Sequence, residues 1–489
     1  MRRLPLNKDM RIIIGDLQGL FLIAGLLMAV MALISLLFWE LQSTAGFIVG
    51  MLVSLAIAAV IHFTVPESEA LELKHAIIIA ALAYLLIPAV SSIPFMISPQ
   101  MSPVDAFFES ISGWTGSGFT MIPAPDRIDN SMQLWRSVTQ WIGALGVVLL
   151  MVTILIRPGT STYVLYQSEA RKERIKPSIR STVRAIWKVY LVLTVTSFST
   201  LLLAGMPVWD AVNIALTSIG GGFTLYSDSI AHYHSLPIEL ALLPIMIAGA
   251  IPFAALFTVF RVKLHTLIYD IQVRTFGGLI AIGCVLLVVQ NYFYSYNDIF
   301  TSARYSVFQL VSAITSTGLQ TADISSWSST ALLLLSISMI IGGCAGSATG
   351  GIKVAREIFL VNQIKLWLTK TLLSRKAVIV IRLGQHKVVE KAITDELNEA
   401  TLISFLWILN IFVSIMLLSN ILGPEASLSN VIFEVCSAQG NCGLTTGIIN
   451  PTIHYLAKLI FIVDMWMGRL EIVPVILLVR TMFRGFGKY

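Results

Sequence analysis

Four times along this chain a stretch of about a dozen mostly apolar residues runs into a short polar segment whose last glycine is followed at once by Phe or Leu. The segments are Thr115-Gly116-Ser117-Gly118, Ile219-Gly220-Gly221-Gly222, Thr315-Ser316-Thr317-Gly318 and Gly440-Asn441-Cys442-Gly443. Their final glycines stand 104, 96 and 125 residues apart, so the chain repeats with a period of about 100 residues. A fixed period marks one structural unit used several times, which constrains the fold more than any single motif does. The match extends upstream. Ten residues before each glycine stand Phe108, Val212, Phe308 and Phe433, and nine residues before stand Glu109, Asn213, Gln309 and Glu434. Such spacing suits short helices that pack an apolar side chain away from the segments and turn a polar one toward the backbone behind them.

The repeats lie in a chain built for lipid. Of 489 residues, 56% are hydrophobic and only 12% charged, and the mean hydropathy is +0.82. Sets of soluble domains do not have this composition. Apolar runs of roughly 20 residues suit helices crossing a hydrocarbon core about 30 Å thick, not the alternating segments of about ten found in membrane barrels. The expected fold class is therefore an all-α integral membrane protein. Four tandem units, each a helix, a pore loop and a second helix, surround one central pore, and two extra transmembrane helices precede them. Expected spans are 12–39 and 45–65, then 76–96 with 133–156, 186–206 with 237–260, 276–295 with 329–364, and 399–422 with 455–480. The divisions are 1–70 for the two leading helices, then 71–160, 161–262, 263–375 and 376–489 for the four units. The first apolar run is too long for a signal peptide, whose core is roughly 7 to 15 residues, and reads as a retained anchor.

Lys and Arg collect on the cytoplasmic flanks of membrane helices, which sets the orientation. They crowd the segment between the first and second units (Arg157, Arg171, Lys172, Arg174, Lys176, Arg180, Arg184, Lys188), the one after the third unit (Lys365, Lys370, Arg375, Lys376, Arg382, Lys387, Lys391), and the C-terminus (Arg480, Arg484, Lys488). On the glycine-segment side stand Arg127, Arg136, Arg304 and Lys458. Both termini are expected in the cytoplasm of a cell-membrane protein, with the four segments facing outward. The basic flanks suit lipid headgroups and also a docking surface. The longest cytoplasmic stretches run to about 30 residues, too short to fold as a regulatory domain, so regulation is expected from a separate chain.

Inside a bilayer, non-helical backbone is tolerated only where it lines a cavity or is buried in protein, so four such segments at one depth imply a shared water-filled axis. Glycine adopts positive φ without steric cost, and carbonyls turned toward an axis replace the hydration shell of a cation. The segments thus read as a selectivity filter, with hydroxyls of Thr115, Thr315 and Thr445 as candidate additional ligands. Short helices aiming their C-terminal ends at the cavity favour cations. No ring of Asp or Glu occupies the segments, which points to a monovalent ion. Glu109 and Glu434 fall on the short helices and are expected to be structural. A cation crossing 100 mV gains about 2.3 kcal/mol and a tenfold gradient costs about 1.36, so potential alone supports roughly 50-fold accumulation.

Two interruptions lie on the other side of these segments. The run Gly342-Gly343-Cys344-Ala345-Gly346-Ser347-Ala348-Thr349-Gly350-Gly351 breaks the second helix of unit three, since each interior glycine costs about 0.8 to 1 kcal/mol relative to alanine. It matches neither phosphate-loop nor dinucleotide pattern. In unit four Gly468-Arg469-Leu470-Glu471 places a charge within a span, at a cost of at least about 2.5 to 3.5 kcal/mol. Arg469 either pairs with Glu471 or Asp464 or projects into the pore. The histidines and the four cysteines (Cys284, Cys344, Cys436, Cys442) show no metal-ligand spacing, and nothing suggests nucleic-acid binding or an enzyme.

The repeated glycines, the 342–353 run ending Gly350-Gly351-Ile352-Lys353, and Met467-Gly468-Arg469-Leu470-Glu471 together resemble the superfamily of TrkH, TrkG and KtrB potassium transporters, over about residues 70–480. The two leading helices are similar to the TrkH branch. The resemblance implies a K⁺-translocating subunit that also passes Rb⁺, homodimeric with one pore per protomer, with K⁺ in the filter and no covalently bound cofactor. It implies a cytosolic nucleotide-binding partner of the TrkA type, a gate formed by Gly346, Ser347, Ala348, Thr349 and Gly350, and a pore-facing Arg469 against that gate. A gated channel and a symporter moving K⁺ with Na⁺ or H⁺ both fit this fold. The chain departs from the family pattern at Gly116, a place more often threonine, and in the three consecutive glycines Gly220 to Gly222. The strictness of K⁺ over Na⁺ selection is the property these departures leave open.

Overall fold

The computed structural model describes residues 7–65, 72–155, 179–259, 265–372, 380–383, 386–389 and 394–485. Of the basic residues read above as cytoplasmic, Arg157, Arg171, Lys172, Arg174, Lys176, Arg375, Lys376, Lys391 and Lys488 lie outside these. Two long helices, Lys8–Leu37 and Leu41–Thr64, come first and pack on one another. Phe21, Ala24 and Met28 of the first are buried, while Leu22, Leu26, Leu33 and Leu37 stay exposed. In water such a face would be a liability. In a bilayer it is the face that meets lipid.

Each unit then reads long helix, short helix, glycine segment, return helix. The long helices are Leu73–Ser91, extended by Ile93–Ile97, then Ile179–Leu203, Ile271–Asn291 and Thr394–Leu422. The short helices are Pro103–Thr115, Val208–Thr217, Ile299–Ile314 and Leu428–Gln439, and their inward faces supply much of the buried core, including Phe108, Phe308 and Phe433. By length and hydropathy six helices among the described residues can cross a membrane, including both leading helices and the long helix of each unit. The protein is a multi-pass membrane protein.

The return helices depart from the expectation of single spans. Only Asn130–Leu155, in the first unit, is continuous. In the second unit Leu236–Gly249 meets Phe253–Val259 at a bend of 108°. Pro252 stands at this bend and cannot donate the backbone hydrogen bond that a continuing helix needs. The third stops at Ile341 and resumes at Val354, as the glycine run predicts. The fourth, expected to run through 455–480, ends at Arg469 and restarts at Val473, with Glu471 and Ile472 at φ 57° and 68°. Left-handed backbone is a true outlier for a β-branched residue such as Ile472, and Pro474 follows it to begin the next helix. The β structure among the described residues is one antiparallel ribbon, Val380–Leu383 against His386–Val389, a small exception to an otherwise helical chain.

Candidate functional site

The four glycine segments meet in a closed ring. A Cβ added to Gly118 would lie 2.8 Å from the Cα of Gly222, and one on Gly222 would lie 2.6 Å from the Thr317 carbonyl oxygen. One on Gly318 would run into the Cys442 carbonyl oxygen, and one on Gly443 into that of Ser117. Each segment therefore abuts the next, and the fourth returns to the first. Only glycine permits this approach.

Local backbone chemistry shapes three of the segments alike. At the ends of the first, third and fourth short helices, Gly116, Ser316 and Asn441 take left-handed φ of 75°, 50° and 49°. Their amides bond back three residues, to Gly113, Ala313 and Ala438, and the next amides bond back five, from Ser117 to Ser112, Thr317 to Ser312 and Cys442 to Ser437. This paired pattern is a Schellman termination, which turns the chain sharply off the helix end. The closing glycines, Gly118, Gly318 and Gly443, are left-handed too, at 85°, 72° and 92°. Side-chain caps from Ser102, Asp298 and Ser427 begin the same three helices.

The second segment is built differently. Its helix starts after Pro207 with no side-chain cap, both Gly220 and Gly221 amides return to the Thr217 carbonyl, and none of its three glycines has positive φ. Bracing differs as well. Glu109 accepts from the Thr120 hydroxyl and, at 2.7 Å, the Met121 amide. Glu434 accepts from the Thr445 and Thr446 hydroxyls and the Thr446 amide, and the Gln309 amide donates to Thr321. Asn213 instead accepts from Ser137 and donates to the Trp209 carbonyl. The first return helix braces this segment in its place. Gln140 accepts from the Phe223 amide at 2.9 Å, and Arg136 donates to the Thr224 carbonyl at 3.0 Å.

Arg136 is buried, pairs with Glu109 at 2.8 Å and stacks over the Phe223 ring. Its role and that of Gln140 escaped the sequence reading. The signal in the sequence was an arginine and a glutamine four residues apart within a membrane span, which calls for buried partners. Arg304 and Lys458 are likewise paired, with Glu239 and Asp105. Three of the four basic residues expected on the glycine-segment side are thus paired with carboxylates.

The threonine hydroxyls expected as extra ligands spend their protons on protein acceptors. Thr115 and Thr315 donate to Ile111 and Val311 carbonyls within their own helices, and Thr445 faces Glu434, behind its segment. Among the described residues no hydrogen-bond donor is aimed at the carbonyl oxygens of 116–118, 220–222, 316–318 or 441–443. Ten of these twelve residues are buried, and Gly118 and Gly443 are half-buried. Buried carbonyls are almost always partnered, so a cluster of free ones invites a cation.

Residues 342–353 pack directly against this ring. A Cβ on Gly220 would lie 2.7 Å from that of Ala348, one on Gly350 would meet the Gly440 carbonyl, and the Gly350 amide donates to the Ser316 hydroxyl. The bend in the second return helix supplies the loop's other partners. Cys344 and Ala348 amides donate to the Ala250 and Gly249 carbonyls, and the Phe253 amide donates to Gly346. Of the predicted gate residues, Ser347 and Thr349 share a hydroxyl contact of 2.8 Å. Arg469 pairs with neither Glu471 nor Asp464. Its guanidinium donates to the Ala348 carbonyl at 3.0 Å and to the Gly143 and Ala144 carbonyls, and it lies 3.6 Å from where a Gly116 side chain would begin. Glu471 pairs with Arg356, and Asp464 accepts from Asn410 and Ser414.

Comparison with known proteins bears on this arrangement. The family model for TrkH, described as a cation transport protein, matches residues 43–484. An uncharacterized cation transporter of Methanocaldococcus jannaschii is 31% identical over 98% of this chain and 97% of its own length. The Trk system potassium uptake protein TrkG of Escherichia coli is 30% identical, covering 92% of this chain and 93% of that one. The crystal structure of the potassium transporter TrkH from Vibrio parahaemolyticus superposes with a TM-score of 0.86 at 26% identity, over 97% of this chain and 99% of that one.

Proposed function

This chain belongs to the TrkH family of cation transport proteins, and we propose that it is a potassium uptake subunit passing K⁺ through the ring of glycine segments, gated by residues 346–350 with Arg469. The observation that carries the reading is the set of uncommitted carbonyls, on residues that are buried apart from the half-buried Gly118 and Gly443, in four converging segments. K⁺ needs several oxygens to replace its water shell, and carbonyl dipoles supply them without fixed negative charge. The short helices end at the ring, so their negative dipole ends add a field that favours cations.

The second element is the loop. It lies against the ring, and Arg469 donates to it from the fourth unit, so a pathway along the axis is obstructed both sterically and electrostatically. Opening requires the loop to leave the ring. With its termini and basic flanks in the cytoplasm, the protein would receive the opening signal from a nucleotide-binding subunit of the TrkA type, acting on a homodimer with one pore per protomer.

Rb⁺ uptake into liposomes holding the purified protein, with and without that partner, tests this. We expect partner-dependent flux, higher basal flux on deletion of 346–351, and a reversal potential that follows K⁺ alone. No Rb⁺ or K⁺ flux under any activating condition would overturn the reading, and a reversal potential that also moved with Na⁺ or H⁺ would replace channel conduction with symport.

A further inference from the structure

Lys353 is the residue on the loop that gating by residues 346–350 and Arg469 leaves unused. It is 5% exposed, and its ammonium donates to both the carbonyl and, at 3.2 Å, the hydroxyl oxygen of Thr349. Glu471, the carboxylate of the Gly-Arg-Leu-Glu motif, is engaged by Arg356. Lys353 thus has carbonyl and hydroxyl oxygens where a buried ammonium would ordinarily have a carboxylate. A buried charge is expensive unless it is paired or fully solvated by dipoles.

Its backbone supports the same view. Lys353 stands at φ 82°, a left-handed conformation that non-glycine residues seldom adopt. Backbone bonds on either side hold it there: the amides of Ile352, Lys353 and Val354 donate to the carbonyls of Ile340, Ile341 and Gly343. Backbone strain that the surroundings enforce is a pointer to function. Here it turns the side chain back onto its own loop.

Three cationic side chains converge on loop carbonyls: Lys353 on Thr349, Arg356 on Ile352 and Arg469 on Ala348. Of these, only the lysine presents a compact point charge comparable to a dehydrated alkali ion. Its two oxygen partners belong to one threonine whose hydroxyl is itself held by Ser347. Carbonyl plus hydroxyl is the donor set that takes a monovalent cation in place of water.

We propose that the Thr349 oxygens form an inner site for a monovalent cation, occupied in this structure by the ammonium of Lys353, and that conduction requires a permeant K⁺ to replace it. The lysine is then a tethered competitor for its own transport substrate. The inference rests on the gate reading of residues 346–350 and adds a ligand to it. The site adjoins the ring, because the amide of the next residue, Gly350, donates to the Ser316 hydroxyl.

The test compares wild type, Lys353→Met and the 346–351 deletion in two assays: partner-free Rb⁺ flux in liposomes, and thermal unfolding of the full-length protein in K⁺ against choline. Lys353→Met is expected to raise basal flux severalfold and to gain a saturable K⁺-dependent rise in Tm beyond that of wild type, because K⁺ now binds the vacated oxygens. If Lys353→Met does not fold, Lys353→Gly, which accepts the left-handed backbone, is read in the same way. Basal flux raised by the deletion alone sinks the inner site and leaves the gate standing. Higher flux in the lysine variant without added K⁺ stabilisation also overturns it, since the lysine would then be only a latch. Unchanged basal flux in both variants defeats the gate reading itself.

Discussion

Glu109, Gln309 and Glu434 each hold their own glycine segment from behind, whereas Asn213, the residue at the same place in the second unit, turns to Ser137 and the Trp209 carbonyl. The first, third and fourth segments begin as Schellman turns of capped helices and would keep much of their shape through local bonds. The second has no side-chain cap and no left-handed turn, its own helix reaches the chain beyond it through Asp210, which accepts from Tyr226 and Tyr233, and the segment itself is shaped by Gln140 and Arg136 of the first unit. That difference teaches where the ring is coupled to its surroundings. The helix carrying Gln140 also offers Gly143 and Ala144 to Arg469, and Gly220 sits against Ala348. The third and fourth segments meet the loop through Ser316 and Gly440, while the second is the wall that shares its bracing helix with Arg469.

The comparison breaks most sharply with alanine at the closing glycines. Gly318→Ala and Gly443→Ala add a Cβ that runs into a carbonyl on left-handed backbone, a conformation costing roughly 1 to 2 kcal/mol before the clash is counted. Rb⁺ flux is expected to vanish in both. Gly222→Ala meets Thr317 at 2.6 Å without the backbone penalty, and residual flux should survive. Equal loss in all three would erase the distinction.

Removing one partner of a buried ion pair costs about 3 to 5 kcal/mol. Arg136→Met strips Glu109 of its cation and the second segment of a donor, and should lower Tm by far more than Arg136→Met with Glu109→Gln. If single and double variants unfolded alike, Arg136 would not be serving Glu109.

Gln140→Leu sharpens the contrast, because it leaves the buried Phe223 amide without its acceptor, a loss of about 1 to 3 kcal/mol. We expect a lower K⁺ over Na⁺ permeability ratio from reversal potentials, with the other three segments untouched. An unaltered ratio would mean that this segment takes no part in ion choice. The smallest effect belongs to the caps. Ser427→Ala and Ser102→Ala should each cost about 1 kcal/mol by thermal unfolding, while the second helix has no such bond to lose.

Much of this was legible in the chain. Glycine period, hydropathy and the 342–353 run pointed to the membrane fold, the four segments and the break in unit three, because each is written in local composition. The breaks in units two and four were readable only faintly, through Pro252 and Pro474. Residue types left Arg469 open between an ion pair and the pore. Asp464 proved to be held by an amide and a hydroxyl, and Glu471 by Arg356, which stands 115 residues away in sequence.

The sequence by itself determined that this chain lives in a bilayer, repeats one unit four times and bends its backbone at glycines. These are matters of solvation and local conformation, decided within a few residues. Only the tertiary structure decided which wall of the ring leans on a neighbour, which carbonyls receive Arg469 and where Lys353 places its charge. Those depend on which helix faces meet, and a charge in a low-dielectric interior takes the partner that packing brings within about 3 Å, whatever the distance along the chain.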